Sequence, residues 1–130
     1  MFSYIKKEKL SVAFSNVHKL LNPGGIFIFD VVNGSQLDAK FEKSITVKGD
    51  GVDIAWERTR ESNEQVIEAY AKIHADKIYE DHQTFFYYYP EEIKRLLEDA
   101  GFGEIEVYSD YNRKKDYTKS KTKLCVVCRK

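Results

Sequence analysis

Leu20-Leu21-Asn22-Pro23-Gly24-Gly25-Ile26-Phe27-Ile28-Phe29-Asp30-Val31-Val32 packs a helix end, a tight turn and a strand into thirteen residues. Pro23 has no N–H to continue a helix, and Asn22 before it is pushed out of the α region. The two glycines that follow supply positive φ without steric cost, so a turn is expected over 22–25. Residues 26–32 are apolar apart from Asp30. A strand that is apolar on both faces is expected to be buried on both, as in a parallel sheet covered by helices. Asp30 stands near its C-terminal end, which is where open α/β sheets bind ligands.

Upstream, 6–21 reads as an amphipathic helix. Leu10, Ala13, Phe14, Val17, Leu20 and Leu21 recur at three- and four-residue spacings as one apolar stripe. Downstream, Asn33-Gly34-Ser35 breaks the strand, and 36–42 is a short helix or a loop. The period then changes to two. Alternating runs at 44–48, 52–60, 65–74 and 78–88 are separated by short polar turns, which reads as an antiparallel meander of four strands. Pro90 begins a helix at the position it prefers, with Glu91 and Glu92 at the positive end of the dipole. Ile93, Leu96, Leu97 and Ala100 form its buried face and Gly101 caps it. Strands are expected at 105–109 and 123–129, joined by a polar loop over 110–121.

A chain of 130 residues is expected to form one domain with a core of its own. Lys plus Arg number 21 and Asp plus Glu 21, so the charge balance points to neither nucleic acid nor membrane as partner. No apolar run reaches transmembrane length and no signal peptide precedes the first helix. Cys125 and Cys128, three apart on a predicted strand, face opposite sides, which argues against a disulfide or a shared metal. Buried free thiols in a reducing compartment, the cytoplasm, are expected.

Two patches carry a resemblance. The helix ending in Leu-Leu-Asn-Pro-Gly-Gly, followed by an apolar strand closing in Asp30, resembles the fifth strand of class I S-adenosylmethionine (SAM)-dependent methyltransferases. The segment Tyr89-Pro90-Glu91-Glu92-Ile93, through Leu96-Leu97-Glu98-Asp99-Ala100-Gly101-Phe102 into Ile105-Glu106-Val107-Tyr108, is similar to that family's last helix, its turn and its sixth strand. Residues 123–129 would be the seventh. The resemblance covers roughly 1–33 and 85–130; the segment over 36–89 is loosely like the insertion of small-molecule N- and O-methyltransferases. It implies an α/β fold: the C-terminal half of a Rossmann-like methyltransferase fold with an inserted antiparallel β-meander. The full enzyme would transfer the sulfonium methyl of SAM, by in-line displacement, to N or O of a small-molecule acceptor.

The cofactor half of that pattern is missing. A SAM or nucleotide site on this fold needs a glycine-rich turn after its first strand and an acidic residue ending the second. Gly49-Asp50-Gly51 and Gly101-Phe102-Gly103 lack the third glycine; Ile54 and Glu106 stand in its place. The first pair sits in a predicted hairpin, the second after a helix. No cofactor-binding residue is therefore expected in this chain, which alone would be inactive. Strands one to four would lie in a missing N-terminal half, and the strand edge they leave open would favour a homo-oligomer through 26–32, the 6–21 helix or the aromatic run 85–89.

Candidate site residues each carry two readings. Tyr4 would line the methyl-transfer pocket or pack at the helix entry. Asp30 and Asn33 would orient an amine or hydroxyl acceptor, or Asp30 would accept backbone hydrogen bonds from the 33–34 turn. Tyr79-Glu80-Asp81-His82 is the densest titratable set on one strand. His82 shares a face with Glu80 and Thr84, and with a pKa near ~6.5 it is suited to be a general base; a solvated sheet face is the alternative. Trp56 and the run Phe85-Phe86-Tyr87-Tyr88-Tyr89 would wall a small substrate or pack the sheet. Arg113-Lys114-Lys115 reads as a solvated loop. His18, His74 and His82 have no metal-ligand spacing, and no metal is expected. The rival to an enzyme fragment is a non-catalytic α+β module whose sheet binds a partner or dimerises.

Overall fold

The computed structural model describes residues 2–109 and 123–130. After a short 3₁₀ helix, Phe2–Tyr4, come α1 (Lys7–Leu20), β1 (Ile26–Asn33), α2 (Gly34–Ala39), β2 (Ser44–Gly49), β3 (Val52–Glu61), β4 (Val66–His74), β5 (Ile78–Tyr88), α3 (Pro90–Asp99), β6 (Gly103–Ser109) and β7 (Lys123–Arg129). The four predicted meander strands are all present, and the ambiguous stretch after the strand folds as α2. The 110–121 loop with Arg113-Lys114-Lys115 lies outside the described residues.

The 22–25 turn forms as a tight bend: Gly25 N donates to Asn22 O at 2.8 Å. Only Gly24 takes the left-handed backbone, at φ 77°. Gly25 is needed for another reason, since a Cβ there would stand 2.9 Å from Asn22 O. The expectation of positive φ at both glycines is therefore corrected. The turn is also tied to the C-terminus, with Gly24 N donating to Lys130 O and Lys130 N to Gly25 O.

One seven-stranded sheet runs in the order β2-β3-β4-β5-β1-β7-β6. β1 pairs antiparallel with β7 along 26–32. On its other side β1 meets β5, parallel, at Val32 and Asn33 alone. The last meander strand has thus turned back to lie where the resemblance placed a fourth strand, which corrects the expectation of an edge open along its whole length. Ser3, fully buried, completes the closure by accepting the Val32 N–H on Oγ at 2.8 Å.

The principal core lies under α1 and α3. Leu10, Phe14, Phe29, Val31, Tyr88, Ile93, Leu97, Leu124 and Val126 pack there. A second, smaller core on the opposite face joins Leu37 of α2 to Ile67 and Tyr87. Beyond that small core the second face is bare: Ile26 is 51% exposed and Ile28 60%. The expectation that β1 is buried on both faces is corrected accordingly. The aromatic strand is no free surface either, because Phe86, Tyr87 and Tyr88 are buried within the chain. That removes it from the interfaces expected for an oligomer.

Candidate functional site

The C-terminal end of β1 organises the site. Asn33 is fully buried, and its Oδ1 accepts from Ser35 N at 3.0 Å. It is the N-cap of α2, a role that Asn fills because its short side chain reaches a backbone donor of the first turn. Gly34 follows, and a Cβ on it would come within 2.9 Å of the Tyr89 ring, so only glycine lets α2 settle against the aromatic strand. Asp38 anchors the far end of α2. It accepts from the Tyr89 hydroxyl at 2.9 Å and pairs with the Arg60 guanidinium, which lies 4.7 Å from the Tyr87 ring centre. Arg60 holds the Asp38 carboxyl below the usual carboxylate range, aided by Tyr89. Burial first, then Asp38, pushes the Tyr89 phenol up to about 12.

Between α2, the end of β1 and the meander lies a cavity of about 520 Å³. Leu37, Ile67 and Phe85 line it with apolar surface, and Lys40, Arg58, Lys123 and Glu42 bring charge to it. Glu42 is taken up by Lys40, at 2.9 Å. Arg58 donates through Nε and Nη2 to the Glu42 backbone carbonyl, at 2.8 and 2.5 Å, and stacks 5.0 Å from the Phe41 ring centre. Lys123 stands 3.5 Å from Asp30. Sequence reading passed over Arg58. Its signal was parity: on β3 it stands two and four residues on from Trp56 and Ile54 and so shares their inward face.

Other candidates are placed elsewhere. Asp30 forms the ion pair with Lys123 beside this cavity. Trp56 is half-buried on the Arg58 face of β3 but outside the cavity lining. Tyr79 is 42% exposed and donates to Asp76 at 3.0 Å. Tyr4 is 55% exposed in the first 3₁₀ turn. His82 does share its face with Glu80 and Thr84, as alternation requires, but that is the opposite face from Trp56. The cross-strand register sets Trp56 beside Ala71 and Asp81, and His82 beside Tyr70. His82 stacks on the Tyr70 ring, 4.3 Å between centres, and pairs with Glu68 at 2.5 Å. Thr84 and then His82 lower the Glu68 carboxyl below its ordinary value. His82 and Tyr70 line an open hollow of about 580 Å³ with Glu57, Lys72 and Glu80. The structure therefore divides the sequence candidates between two faces of one sheet. The thiols Cys125 and Cys128 are both free and buried, and burial pushes Cys128 up to about 12.

Neither glycine pair fits a cofactor phosphate or carboxylate. Gly49-Asp50-Gly51 closes the β2–β3 hairpin, and Gly103 opens β6. Neither precedes a helix whose free N–H groups would face an anion. Among the described residues no cluster of His, Cys, Asp and Glu has the arrangement of a metal site, and no helix is long and apolar enough to cross a membrane.

No sequence-family description and no curated protein matches the chain. Solved structures do. A SAM-dependent methyltransferase from Clostridium acetobutylicum superposes with a TM-score of 0.83 at 20% identity, covering 98% of this chain and 53% of that one. The CcbJ methyltransferase from Streptomyces caelestis gives 0.84 at 20% identity, covering 98% and 56%. An amino pentose methyltransferase from Micromonospora echinaspora, solved with SAM bound, gives 0.54 at 16% identity, covering 92% and 50%. The fold is thus a methyltransferase-like Rossmann fold with an antiparallel meander. The chain spans about half the length of the structures it matches.

Proposed function

We propose that this chain is the acceptor side of a SAM-dependent methyltransferase acting on N or O of a small molecule. It would be completed by a half that carries the glycine-rich turn. The observation that carries the reading is the unfinished state of β1. Nearly the whole chain superposes on half of two methyltransferases, and β1 keeps a bare apolar face at Ile26 and Ile28. The backbone groups of those two residues also point away from β7, toward an edge along which no described strand runs. A sheet face of this kind suits the helices and strands of the absent half. SAM would be held by that half, since neither glycine pair here fits it.

Calorimetric titration tests the reading in two arms. The chain alone should bind no SAM and show no melting shift at millimolar SAM; occupancy at a hundred times the dissociation constant would add about 2.7 kcal/mol. A chimera with the first half of the Clostridium acetobutylicum enzyme joined ahead of Phe2 should bind SAM in the micromolar range. Micromolar binding by the chain alone overturns the missing-half reading. A folded chimera that does not bind SAM favours the second reading, a non-catalytic module that uses the same bare face for a protein partner.

A further inference from the structure

The cavity beside α2 is asymmetric in charge. Three cations reach it; Lys40 is engaged by Glu42 and Lys123 by Asp30, which leaves Arg58 as the cation without a carboxylate partner among the described residues. Arg58 is the informative member. Its two recorded donor contacts both go to a neutral backbone carbonyl, and no carboxylate in the described residues pairs with it. A guanidinium fixed by a carbonyl and a flanking ring is pre-oriented, and it keeps its positive charge available to a ligand. Behind it the wall is apolar, made by Leu37, Ile67 and Phe85. A volume of about 520 Å³ falls within the range of small-molecule sites. The hollow on the opposite face is of similar size and differs in charge: its acids Glu57 and Glu80 outnumber Lys72.

We propose that this cavity binds a small organic oxyanion, its apolar body against Leu37, Ile67 and Phe85 and its carboxylate or phosphate ester on Arg58, with Lys123 adding long-range attraction. Taking that ligand to be the methyl acceptor rests on the function proposed above; the binding itself does not, because it requires neither SAM nor the missing half. The apolar body and the anionic head are both required. A simple anion would be screened at so open a mouth, and an apolar molecule alone would leave Arg58 unused.

The test is an amide-resonance titration of the chain with four probes that share one ring: phenylacetate, phenyl phosphate, 2-phenylethanol and 2-phenylethylamine. The two anions should move the resonances of Leu37, Arg58, Ile67 and Phe85 and saturate in the millimolar range. The alcohol should bind about tenfold more weakly, and the amine should not bind. A preference for phenyl phosphate over phenylacetate would identify the head group as a phosphate ester, and the reverse as a carboxylate. Arg58→Gln should weaken both anions about tenfold. Because Arg58 also holds the Glu42 carbonyl, Lys123→Gln is measured beside it and should weaken them by a smaller factor. Equal binding of alcohol and anions, a preference for the amine, shifts outside the cavity, or indifference of both variants overturns the proposal. A chimera that fails to bind SAM while these shifts persist would discard the methyltransferase reading and leave the oxyanion site standing.

Discussion

The two faces of β1 both begin with large apolar side chains, and these meet opposite fates. Phe27, Phe29 and Val31 point one way; Ile26 and Ile28 point the other. The first set meets α1 and α3, and Phe29 and Val31 are buried beneath them with Leu10 and Phe14. The second set meets nothing comparable, and its two isoleucines are more than half exposed. Hydrophobic patterning records what a strand is built to contact, whether or not the contact lies in the same chain. In this molecule the bare face at Ile26 and Ile28 is the surface that the proposed completing half would cover.

The sharpest way to break the comparison is to delete one side chain from each face. Phe14 is fully buried, with the rings of Phe2, Phe27 and Phe29 all within about 6 Å of its own. Phe14→Ala should cost about 3–5 kcal/mol in urea unfolding, the usual cost of removing a core aromatic. Ile28→Ser should change the stability of the chain alone by no more than about 0.5 kcal/mol. Equal losses would mean that Ile28 is covered in solution and that the bare face does not exist.

The turn that launches β1 comes next in size. Gly25→Val places a β-branched side chain where even a Cβ lies 2.9 Å from Asn22 O, so backbone must give way. A loss of about 1–3 kcal/mol is expected from such overpacking. Gly24→Ala, with open space around its Cβ but φ 77°, should lose about 1 kcal/mol from conformation alone. The reverse ranking would show that φ rather than contact governs the turn.

Association sharpens the comparison from the other side. Without its complement, the edge and face around Ile26 and Ile28 should pair with a second copy, since a two-fold contact closes on itself. Sedimentation at tens of micromolar should show a dimer, and Ile28→Lys should return it to monomer with its unfolding curve little changed. A monomeric parent chain would leave the face to the completing half proposed above.

Much of this architecture was legible because it is local. The Asn22–Gly25 turn, the Pro90 helix start and the period-two meander are each set by neighbours in sequence. What escaped is non-local. Nothing near Tyr87 announces that it will lie parallel to Val32 across the whole meander, and nothing near Ser3 announces its bond to the Val32 N–H. Glu92 shows the same limit. It reads as a first-turn acid at the positive end of the helix dipole; it is also buried, accepting from Tyr89 N and Gln65 and pairing with Lys7. Register, too, escaped the reading of the candidate site. Alternation assigns His82 and Trp56 to a face within their own strands, but only the pairing of β3, β4 and β5 reveals that the faces are opposite.

The smallest effect concerns how firmly α2 closes the second core, and it turns on pH. Asp38 joins α2 to Arg60 on β3 and to Tyr89 at the start of α3. Its folded-state pKa is lowered, chiefly by Arg60. A carboxyl with a depressed folded pKa contributes stability that is fully present above its unfolded value, near ~3.9. That contribution is lost as pH falls through the folded pKa. Asp38 is half exposed, so solvent screens the pair and the contribution should be about 0.2–1 kcal/mol. Asp38→Asn should therefore be less stable than the parent chain by that amount at pH 6, and the gap should close as pH drops below 4. Tyr89 supplies a check at the other end. Its phenol is raised to about 12, so the stability tied to its neutral form is present below pH 10 and fades as pH climbs through 12. Tyr89→Phe should remove the alkaline step and, by taking away one donor to Asp38, shrink the acid one. A gap between parent and Asp38→Asn that stays constant from pH 6 to pH 2 would mean that Asp38 acts through shape rather than charge. In that case α2 would be held by Asn33 and Leu37 alone.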